Sequence, residues 1–433
     1  MRIGIDGYNL AMPHGTGVAT YGAALAGVLA RMGHRVEGVF GLDIGRRPET
    51  RELLFFDRFG HGHRLNGGQI TWRVGSSTAL NHLPRKLNPV PITDHIDRRG
   101  FGYRMPAFDA LWSSPLLFET AYARFRHLGR FLTVSMPDPP AVMHWTYPVP
   151  VRMAGARNIY TIHDLVPLKL PHTTLDDKGY YHRLVSRCIR DADHICTVSE
   201  ASRADILSLF DVAPDKVTNT YQSSPVPDDI TAASAELDLA IVRDMFGLKP
   251  QGFYLFFGAL DPKKNIARIV DAYLTSQSRA PLVIVGARDW GMDAGTRFLG
   301  DDGKVYGRKV GERIIRLEYL PRTTLFRLIR AAKAVLFPSL YEGFGLPALE
   351  AIELGTPVIS SNLSSLPEVV GEAGLLVDPY KTHEIAAAIR RIDEEPELST
   401  RLRAAGPVQA AKFSEAAYRE RLAGMYGRMG LPG

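Results

Sequence analysis

The sequence is poor in cysteine and has no long apolar run. Cys188 and Cys196 are its only cysteines, and neither has a second cysteine or a histidine at metal-ligand spacing, so we expect buried free thiols. No segment approaches the roughly 18 apolar residues of a membrane span. The opening residues MRIGIDGYNL enter a strand pattern rather than a basic and then apolar leader. These absences predict a cytoplasmic protein.

Internal repeats and low-complexity tracts are also lacking. A chain of 433 residues is too long for one ordinary core, so its size predicts two or three domains.

The second half of the sequence has no excess of basic over acidic residues. Residues 1–225 hold 26 Lys+Arg against 20 Asp+Glu, whereas residues 226–433 hold 26 of each, so the net charge of +6 lies in the first half. Within it, residues 46–130 carry 14 basic and 7 acidic side chains, interleaved with apolar residues such as Phe55, Phe56 and Trp112. This segment could be a nucleic-acid face, an anionic-membrane face or an ordinary soluble surface.

Strand and helix patterns alternate along the first half. RIGIDGYNL predicts a buried strand that ends in the glycine loop AMPHGTG, and apolar residues from Val18 to Met32 then recur at helical spacing. Further strands are predicted at 141–147, 158–162, 194–198 and 217–222, with helices at 176–190 and 200–210. Strands that alternate with helices indicate a parallel sheet covered on both faces.

A second alternation follows the stretch SSPVPDDITAAS, residues 223–234, which collects Pro, Ser and Asp and is the predicted linker. Strands are predicted at 253–259, 282–286, 314–320, 334–339, 357–361 and 374–378, and helices begin near Asn265, Arg322, Pro347 and His383. The predicted fold class is α/β, with two doubly wound parallel-sheet domains, residues 1–225 and 235–405. Such sheets bind ligands beyond the carboxyl ends of their strands, so two that face each other form a cleft.

Two glutamates flank a Gly-Phe-Gly turn in PSLYEGFGLPALEAIELGTPVI, residues 338–359. Pro347 is favoured at the first position of a helix, and the amides of Gly345 and Leu346 would then form an anion site suited to a diphosphate. Glu350, one turn into the helix, could accept two hydrogen bonds from a ribose, and Glu342 could reach another part of the same ligand. The alternative is one loop glutamate and one glutamate on a solvated helix face.

A pair of lysines follows another predicted strand, in FFGALDPKKN. Lys263 and Lys264 could neutralise phosphate charge there, although paired lysines in a turn are more often solvated surface. Their coincidence with the two glutamates at one sheet edge favours a binding site.

These segments resemble glycosyltransferases of the large retaining family 4, whose GT-B architecture has two Rossmann-like domains facing a central cleft. The resemblance covers most of the second half, through FGALDPKKNIARIVDAY, LEYLPRTTLFRLIRAAKAVLFPSLYEGFGLPALEAIELGTPVI and SSLPEVVGEAGLLVDP. Its most specific element is the E-x₇-E spacing of Glu342 and Glu350. In the first half it rests on GTGVATYGAAL, YTIHDLVPLKLP and ADHICTVSEASRADI, while residues 45–135 carry no recognised motif.

The resemblance implies a role for each residue of the glutamate segment. Glu350 would bind the ribose of a nucleotide sugar and Glu342 the hydroxyl groups of the donor sugar. The amides of Phe344, Gly345 and Leu346 would bind the sugar and its phosphate.

The resemblance also assigns the remaining site residues. Lys264, with Lys263, would bind the diphosphate, and Gly15 and Gly17 would let the first-domain loop close over it, since glycine permits close backbone approach. His163 would donate or accept a hydrogen bond near the reacting carbon of the sugar. The alternative for His163 is a capping or core histidine.

Three positions depart from the family pattern. Ala259 stands where many relatives carry an arginine, and TYQSSP replaces the usual Pro-Asn-Gly after the strand at 217–222. Residues 406–433 are expected to form a C-terminal helix that crosses back to the first domain, although Glu415 occupies the place of the expected Trp.

The implied reaction is a retaining transfer of a hexose to an acceptor hydroxyl. Lysines and helix-end amides would stabilise the charge on the leaving diphosphate, so no metal or other cofactor is expected. Asp191-Ala-Asp193 spells the D-x-D of metal-dependent transferases, but it lies where a helix passes into the strand HICTV, and we expect a structural role. No obvious carboxylate nucleophile is present, which favours front-side transfer assisted by the leaving phosphate.

The donor and acceptor are predicted from weaker signals. HDLVPLKLP resembles bacterial mannosyl- and rhamnosyltransferases, which favours GDP-mannose, with UDP-hexoses as the alternative. The acceptor is predicted to be a lipid-linked or cell-surface glycan, as in polysaccharide biosynthesis. Residues 46–130 would contact anionic lipid at the inner face of the membrane, and no nucleic acid would bind.

Two other classes of protein remain as alternatives. A nicotinamide-dependent dehydrogenase would share the fold class, but GTGVAT is not G-x-G-x-x-G, and no acidic residue follows at the ribose-binding spacing. A non-catalytic sugar-binding protein normally works outside the cytosol and needs a leader.

Overall fold

The computed structural model describes residues 1–12, 17–61, 84–232, 234–286, 304–305, 308–309, 313–317 and 320–432. Its first half is built on an eight-stranded sheet and a small three-stranded sheet. The strands of the large sheet are β1 Arg2–Asp6, β2 Arg35–Phe40, β4 Asn88–Val90, β5 Ala110–Ser113, β7 Val142–Trp145, β9 Arg157–Thr161, β10 His194–Thr197 and β11 Val217–Asn219. Those of the small sheet are β3 Arg85–Lys86, β6 Leu132–Ser135 and β8 Val151–Met153.

The large sheet has the order β11-β10-β9-β7-β1-β2-β5-β4. Its strands run parallel except β4, which pairs antiparallel with β5 at the edge of the sheet. Strands β7 and β10 are buried along their whole length, as expected when helices cover both faces of a parallel sheet.

Among the residues described in this half, six helices accompany these strands: α1 Gly17–Arg31, α2 Arg51–His61, α3 Leu117–Leu128, α4 Val166–Lys169, α5 Lys178–Asp191 and α6 Glu200–Leu209. Local sequence sets where two of them begin. The Asp177 carboxylate accepts from the amide of Tyr180 at the start of α5, and Ser199 accepts from the amide of Ser202 at the start of α6. Such caps satisfy amides that have no acceptor within the helix.

The second half contains a six-stranded parallel sheet in the order β16-β13-β12-β17-β18-β19. Its strands are β12 Tyr254–Phe257, β13 Leu282–Val285, β16 Ile314–Leu317, β17 Ala334–Phe337, β18 Val358–Ser361 and β19 Gly374–Val377, and β14 Lys304–Val305 pairs antiparallel with β15 Arg308–Lys309. The helices are α7 Asp228–Ala232, α8 Ala235–Phe246, α9 Ile266–Ser276, α10 Arg322–Ala331, α11 Leu346–Glu353, α12 Leu366–Val370, α13 Thr382–Glu394, α14 Pro396–Ala410 and α15 Glu415–Arg428.

The strands predicted from the alternating pattern are all present. Most predictions extend up to three residues beyond the carboxyl end of the strand, because the apolar run continues into the loop that follows. The helix predicted to start at Pro347 begins one residue earlier, at Leu346. Strands β2, β3, β4, β5, β6, β8, β14 and β15 were not predicted.

The predicted linker is packed rather than free. Ser223 and Val226 are buried, and the Ser224 amide donates to the Phe413 carbonyl at 3.2 Å. The Ser224 hydroxyl also bonds to the carboxylate of Glu353. The segment rich in Pro, Ser and Asp therefore connects the two large sheets as packed chain rather than as a flexible linker.

The apolar residues within 46–130 correct the expectation of a membrane-wedging surface. Phe55 and Phe56 are 0% and 3% exposed, and Leu117 and Phe118 are 0% and 3% exposed, so they form core rather than surface. Trp72 lies outside the described residues. These four side chains therefore cannot contact lipid, whereas Leu53 and Leu128 are 65% and 55% exposed and Trp112 is half-buried, so membrane contact by this segment stays a prediction.

Both cysteines are free and buried, as predicted. Within the described ranges, no helix is both long and apolar enough to cross a bilayer.

The C-terminal helix α15 packs against the first sheet. The Tyr426 hydroxyl lies 2.7 Å from His144 Nε2, and Arg428 donates to the Thr218 hydroxyl at 3.1 Å. At the other end of the helix, Glu415 pairs with Arg31 of α1. Burial lowers the pKa of His144 to about 3, so its ring is neutral near pH 7.

The first prediction concerns this attachment. Tyr426→Phe removes the hydrogen bond of His144, whose Nδ1 is already buried without a partner among the described residues. A buried polar group left unsatisfied costs about 1–3 kcal/mol, and we expect the free energy of unfolding in urea to fall by that amount.

Tyr418→Phe is the matched control. Tyr418 is buried on the same helix, but its hydroxyl has no hydrogen-bond partner in the described part of the chain. Its replacement should leave the stability unchanged or slightly higher. Equal losses in the two variants would contradict the importance of the His144 contact.

Candidate functional site

A pocket of about 470 Å³ lies between the two large sheets. It is bounded by the loops after β9 and β10 of the first sheet and by those after β12 and β17 of the second. Its polar lining includes Thr20, His163, Asp164 and Gln222 from the first half, and Asp261, Lys263, Lys264, Arg322, Glu342 and Glu350 from the second. The structure therefore brings the predicted lysines, glutamates and histidine into one cavity.

The Gly-Phe-Gly turn gives the pocket its floor. Gly345 has a φ of +106°, and a Cβ atom there would lie 2.6 Å from Leu366 Cδ2, so a glycine is needed. The ring of Phe344 is buried and packs against Tyr221 and Phe413. Helix α11 begins immediately after this turn, so its first amides, which have no acceptor in the helix, lie at the pocket.

A buried ion pair joins two of the predicted site residues. Lys264 Nζ lies 2.6 Å from Glu342 Oε1, and the side chains are 12% and 9% exposed. Burial alone would raise the pKa of Glu342, but the charges of Lys264 and Lys263 outweigh it and lower the pKa. The Lys264 ammonium also lies 4.6 Å from the centre of the Phe337 ring, a distance suited to a cation–π contact.

Lys263 is held at the same edge by its backbone. Its amide donates to the Asp261 carboxylate at 2.9 Å, and its carbonyl accepts from the Leu340 amide at 2.7 Å. Burial would lower the pKa of Lys263, but the carboxylates of Asp164 and Glu342 raise it on balance. The ammonium is therefore charged, and its backbone links the loop after β12 to the loop after β17.

Glu350 lies on the other side of the pocket and is differently paired. Burial raises its pKa to about 7, a shift that the Arg322 charge opposes and the Glu353 charge adds to. The closest Arg322 nitrogen is 3.8 Å from Glu350 Oε1. Glu350 is therefore close to half protonated at neutral pH, unlike Glu342.

His163 enters the pocket from the first half with one nitrogen committed. Its Nε2 donates to the Thr146 carbonyl at 2.8 Å, and burial lowers its pKa. The ring is edge-on to Tyr21, with centroids 4.8 Å apart. In the neutral ring Nδ1 is then the acceptor, so His163 can accept a hydrogen bond from a ligand hydroxyl.

Comparison with known proteins assigns a family to this site. Residues 244–409 match the family described as glycosyl transferases group 1. The chain is 34% identical over 264 residues to O-antigen chain mannosyltransferase B of Escherichia coli. The aligned region covers 60% of this chain and 67% of the Escherichia coli protein. The chain belongs to the glycosyl transferase group 1 family.

Two further similarities show the extent of the likeness. The serotype-specific mannosyltransferase WbdA of Escherichia coli is 27% identical over 278 residues, which are 62% of this chain but only 33% of WbdA. Sucrose-phosphate synthase from Thermosynechococcus elongatus has 19% identity, a TM-score of 0.65 and 99% coverage of both chains. The fold is GT-B, as the sequence predicted, and family membership excludes the dehydrogenase alternative.

The two halves of this glycosyltransferase touch directly beside the pocket. A Cβ atom on Gly343 would lie 2.5 Å from the His163 carbonyl oxygen, so only glycine allows this approach. The Ser202 hydroxyl donates to the same carbonyl at 2.7 Å and lies 3.3 Å from that of Gly343. Glu368 of α12 accepts from the amides of Glu200 and Ala201 at the start of α6, at 3.0 and 3.1 Å.

The two predicted loop glycines differ in what can be said of them. Gly17 begins α1 and lines the pocket, with no atom within 4 Å of the position of a Cβ. Gly15 lies outside the described residues. The roles of these glycines, and those of the other predicted site residues, stay predictions.

The D-x-D sequence has the structural contacts expected of it. Asp191 pairs with Arg187 one turn earlier in α5, and the Asp193 carboxylate accepts from the Asn158 amide at 2.8 Å. Among the described residues, no group of three or more His, Cys, Asp or Glu side chains is arranged to hold a metal ion.

The sequence analysis missed several residues at or behind the pocket, among them Asp164, Asp261, Arg322 and Asp6. Arg322 lines the pocket beside Glu350. Its position at the start of a helix that follows a strand could have identified it from the sequence. Asp6 is fully buried at the end of β1 and accepts from the Thr146 amide, which positions the backbone that binds His163. Burial raises the pKa of Asp6 to about 6.

Gly343→Ala tests the contact between the halves. The added methyl must displace the Glu342 loop from His163, and a shift of about 1 Å in a catalytic constellation can cost a hundredfold in rate. We expect sugar transfer to fall at least about tenfold with the fold retained, measured by product formation and circular dichroism.

Gly427→Ala is the control, because a Cβ atom there meets nothing within 4 Å. It should retain full activity. A fully active Gly343→Ala would show that the close contact with His163 is not required for turnover.

Glu350 predicts a pH dependence of donor binding. If only the ionised carboxylate accepts ribose hydroxyl bonds, the affinity for a nucleotide sugar falls about tenfold per pH unit below the pKa of about 7. The diphosphate of a nucleotide sugar stays ionised in this range, so titration calorimetry reports on the protein. Glu350→Gln should bind more weakly above pH 7 and lose the pH dependence.

The raised pKa of Glu350 affects stability in the opposite direction, because stability falls as the pH rises whereas donor affinity increases. The folded state of Glu350 binds its proton more tightly than the unfolded state, so its contribution is fully present below about pH 4.5 and is lost as the pH rises through about 7. Urea unfolding of the ligand-free protein should show Glu350→Gln gaining on the wild type as the pH increases. A constant difference between the two would contradict the raised pKa.

Proposed function

We propose that this glycosyltransferase moves a mannosyl group from GDP-mannose to an acceptor hydroxyl, with retention of configuration and without a metal ion. The carrying observation is the buried Lys264–Glu342 pair in a pocket that also holds Lys263, Glu350 and His163. The mannosyl donor is favoured by the mannosyltransferases that this chain resembles.

The second half would bind the nucleotide diphosphate. Lys263 and Lys264 carry positive charge, and the amides of Gly345 and Leu346 lie at the positive end of α11. Arg322 adds a further cation to this wall, which helps to offset the Ala259 departure from the family pattern. Glu350 would accept hydrogen bonds from the ribose.

The sugar would lie between Glu342 and His163. Glu342 is ionised and can accept hydrogen bonds from sugar hydroxyls when Lys264 turns to the phosphate. His163 Nδ1 would accept from another hydroxyl, while the Phe344 amide and the glycine loop with Gly15 and Gly17 would close around the same group.

The transfer step needs no protein nucleophile. The bond between the anomeric carbon and the phosphate oxygen breaks while the bond to the acceptor oxygen forms on the same face. The acceptor proton passes to the leaving phosphate. Asp164 and Asp261 each accept one backbone amide bond, from Val166 and Lys263, and these bonds orient the two carboxylates without removing their second oxygens.

We name the pocket of about 470 Å³ the donor pocket. A second cavity, of about 280 Å³, adjoins it and is the proposed acceptor site. The two cavities share His163, Asp164, Asp261 and Lys263 in their linings, so a hydroxyl in one can reach a sugar in the other. Tyr147, Asp176 and Tyr181 complete the acceptor cavity with groups that bind sugar hydroxyls and faces. We name it the acceptor cavity.

The acceptor and location follow from the same proposal. A lipid-linked or cell-surface glycan, presented at the cytoplasmic face of a membrane, suits an enzyme similar to O-antigen mannosyltransferases. The excess positive charge of residues 46–130 would favour anionic lipid over a neutral surface, and no nucleic acid is needed.

A panel of nucleotide sugars with and without excess EDTA tests the function. We expect GDP-mannose to release nucleotide fastest and EDTA to leave the rate unchanged, because Lys263, Lys264 and the helix-end amides neutralise the leaving group. Glu342→Gln should lower the rate about a hundredfold, the loss typical of one transition-state contact. Nucleotide release by a contaminating hydrolase would not change in this variant, so the variant also serves as a control.

Other outcomes identify the alternatives. Faster release from a UDP-hexose would replace the donor but keep the reaction. Tight sugar binding without release of any nucleotide would favour a non-catalytic sugar-binding protein. Loss of activity in EDTA, restored by Mg²⁺ or Mn²⁺, would refute the metal-independent mechanism.

A further inference from the structure

A third cavity, of about 410 Å³, opens in the first half beyond the carboxyl ends of β2 and β5. Arg46, Arg51 and Arg85 line it, and Asp43 is the acidic residue among the described residues of its lining. We name it the arginine cavity. It shares no lining residue with the donor pocket or the acceptor cavity.

Neutral oxygens, rather than carboxylates, hold two of these arginines in place. Arg85 Nε donates to the Ser114 hydroxyl at 2.8 Å, and its Nη2 donates to the Pro115 carbonyl. Arg51 donates to the carbonyls of Pro89 and Arg46 at 3.3 and 3.5 Å. Their positive charges are therefore oriented but only weakly compensated.

Two acidic groups lie near the cavity, and each has contacts of its own. Asp43 accepts from the Gly45 amide at 3.1 Å, so part of its carboxylate caps the loop. Glu119 acts on Arg85 through its charge, while burial lowers the pKa of Arg85. A half-buried guanidinium in this position gains from an additional anion.

The start of α3 forms part of the same wall. Leu116, with a φ of +52°, precedes the helix and lines the cavity together with Thr120. The forked donors of the three arginines that face this wall match the geometry of a phosphate group.

We propose that the arginine cavity binds a phosphate or diphosphate ester, carried by the acceptor of the transfer reaction. The proposal rests on the proposed function, because it places the anion on a molecule whose sugar occupies the acceptor cavity. It names the acceptor class as a glycosyl phosphate or diphosphate rather than a free glycan.

Helix α3 connects the two cavities. Its Tyr122 hydroxyl donates to the carbonyl of Pro148, which lines the acceptor cavity, at 3.2 Å. The Tyr8 ring packs against Phe118 and Tyr122 of the same helix, with centroids 4.9 and 5.9 Å apart. Helix α3 therefore borders both cavities, and the proposal places the acceptor beside it.

Pyrophosphate is the probe for this site. The full chain is first saturated with the nucleoside diphosphate that the donor panel selects, so that the donor pocket cannot take the probe. Calorimetry then compares the wild type with Arg46→Gln/Arg51→Gln. We expect binding about tenfold weaker in the double variant, because two charged donors are lost.

Two further variants make the comparison specific. Arg47→Gln changes a neighbouring exposed arginine that does not line the cavity, and it should bind pyrophosphate like the wild type. Arg46→Lys/Arg51→Lys keeps the charge and should retain most of the affinity. Equal melting temperatures show that the variants fold.

The outcomes separate this inference from the proposed function. If the wild type releases nucleotide but shows no pyrophosphate binding, or if the double variant binds it equally well, the anion site is refuted and the transferase remains. If anionic phosphatidylglycerol vesicles bind in an Arg46- and Arg51-dependent way while soluble pyrophosphate does not, the anion belongs to a membrane and the acceptor assignment is overturned. Absence of nucleotide release when a glycosyl phosphate or diphosphate acceptor is also supplied refutes the proposed function by itself.

Discussion

The buried contact between Lys264 and Glu342 determines how the candidate site is arranged. These residues follow β12 and β17, which are neighbours in the second sheet, so the contact joins two strand-end loops. A carboxylate in this position needs a cation, because breaking a buried pair typically costs about 3–5 kcal/mol. The same pair therefore fixes the loop that carries Gly343 and leaves Lys263 available as a second cation. The structure of the loop and the charge of the pocket have one physical origin.

Much of this arrangement could be predicted because parallel strands end at a common edge. Lys264 and Glu342 are distant in sequence, but each follows an apolar run at the carboxyl end of a predicted strand. The sheet topology then brings them to 2.6 Å. Glu350 could be placed on the helix after the turn by counting residues, and the glycine at 345 by the left-handed backbone that the turn needs.

The remaining features depend on contacts that a linear pattern does not contain. Asp6 positions Thr146, which binds His163, and these residues come from three separate strand ends. Gly343 is required by a carbonyl in the other half of the chain. The sequence shows that Phe55 and Phe56 are apolar, but it does not show which part of the protein covers them. For this reason a buried cluster was mistaken for a membrane face.

The distribution of charge gives the three cavities different parts in the proposed reaction. The donor pocket has Lys263, Lys264 and Arg322, and the arginine cavity has its three guanidinium groups. The acceptor cavity shares Asp164, Asp261 and Lys263 with the donor pocket but lacks Lys264 and Arg322 and adds Asp176, so its lining suits hydroxyl groups better than phosphate. A donor diphosphate and an acceptor phosphate would thus be held apart, each beside its own cations. The uncharged sugar of the acceptor is the group left to meet the anomeric carbon.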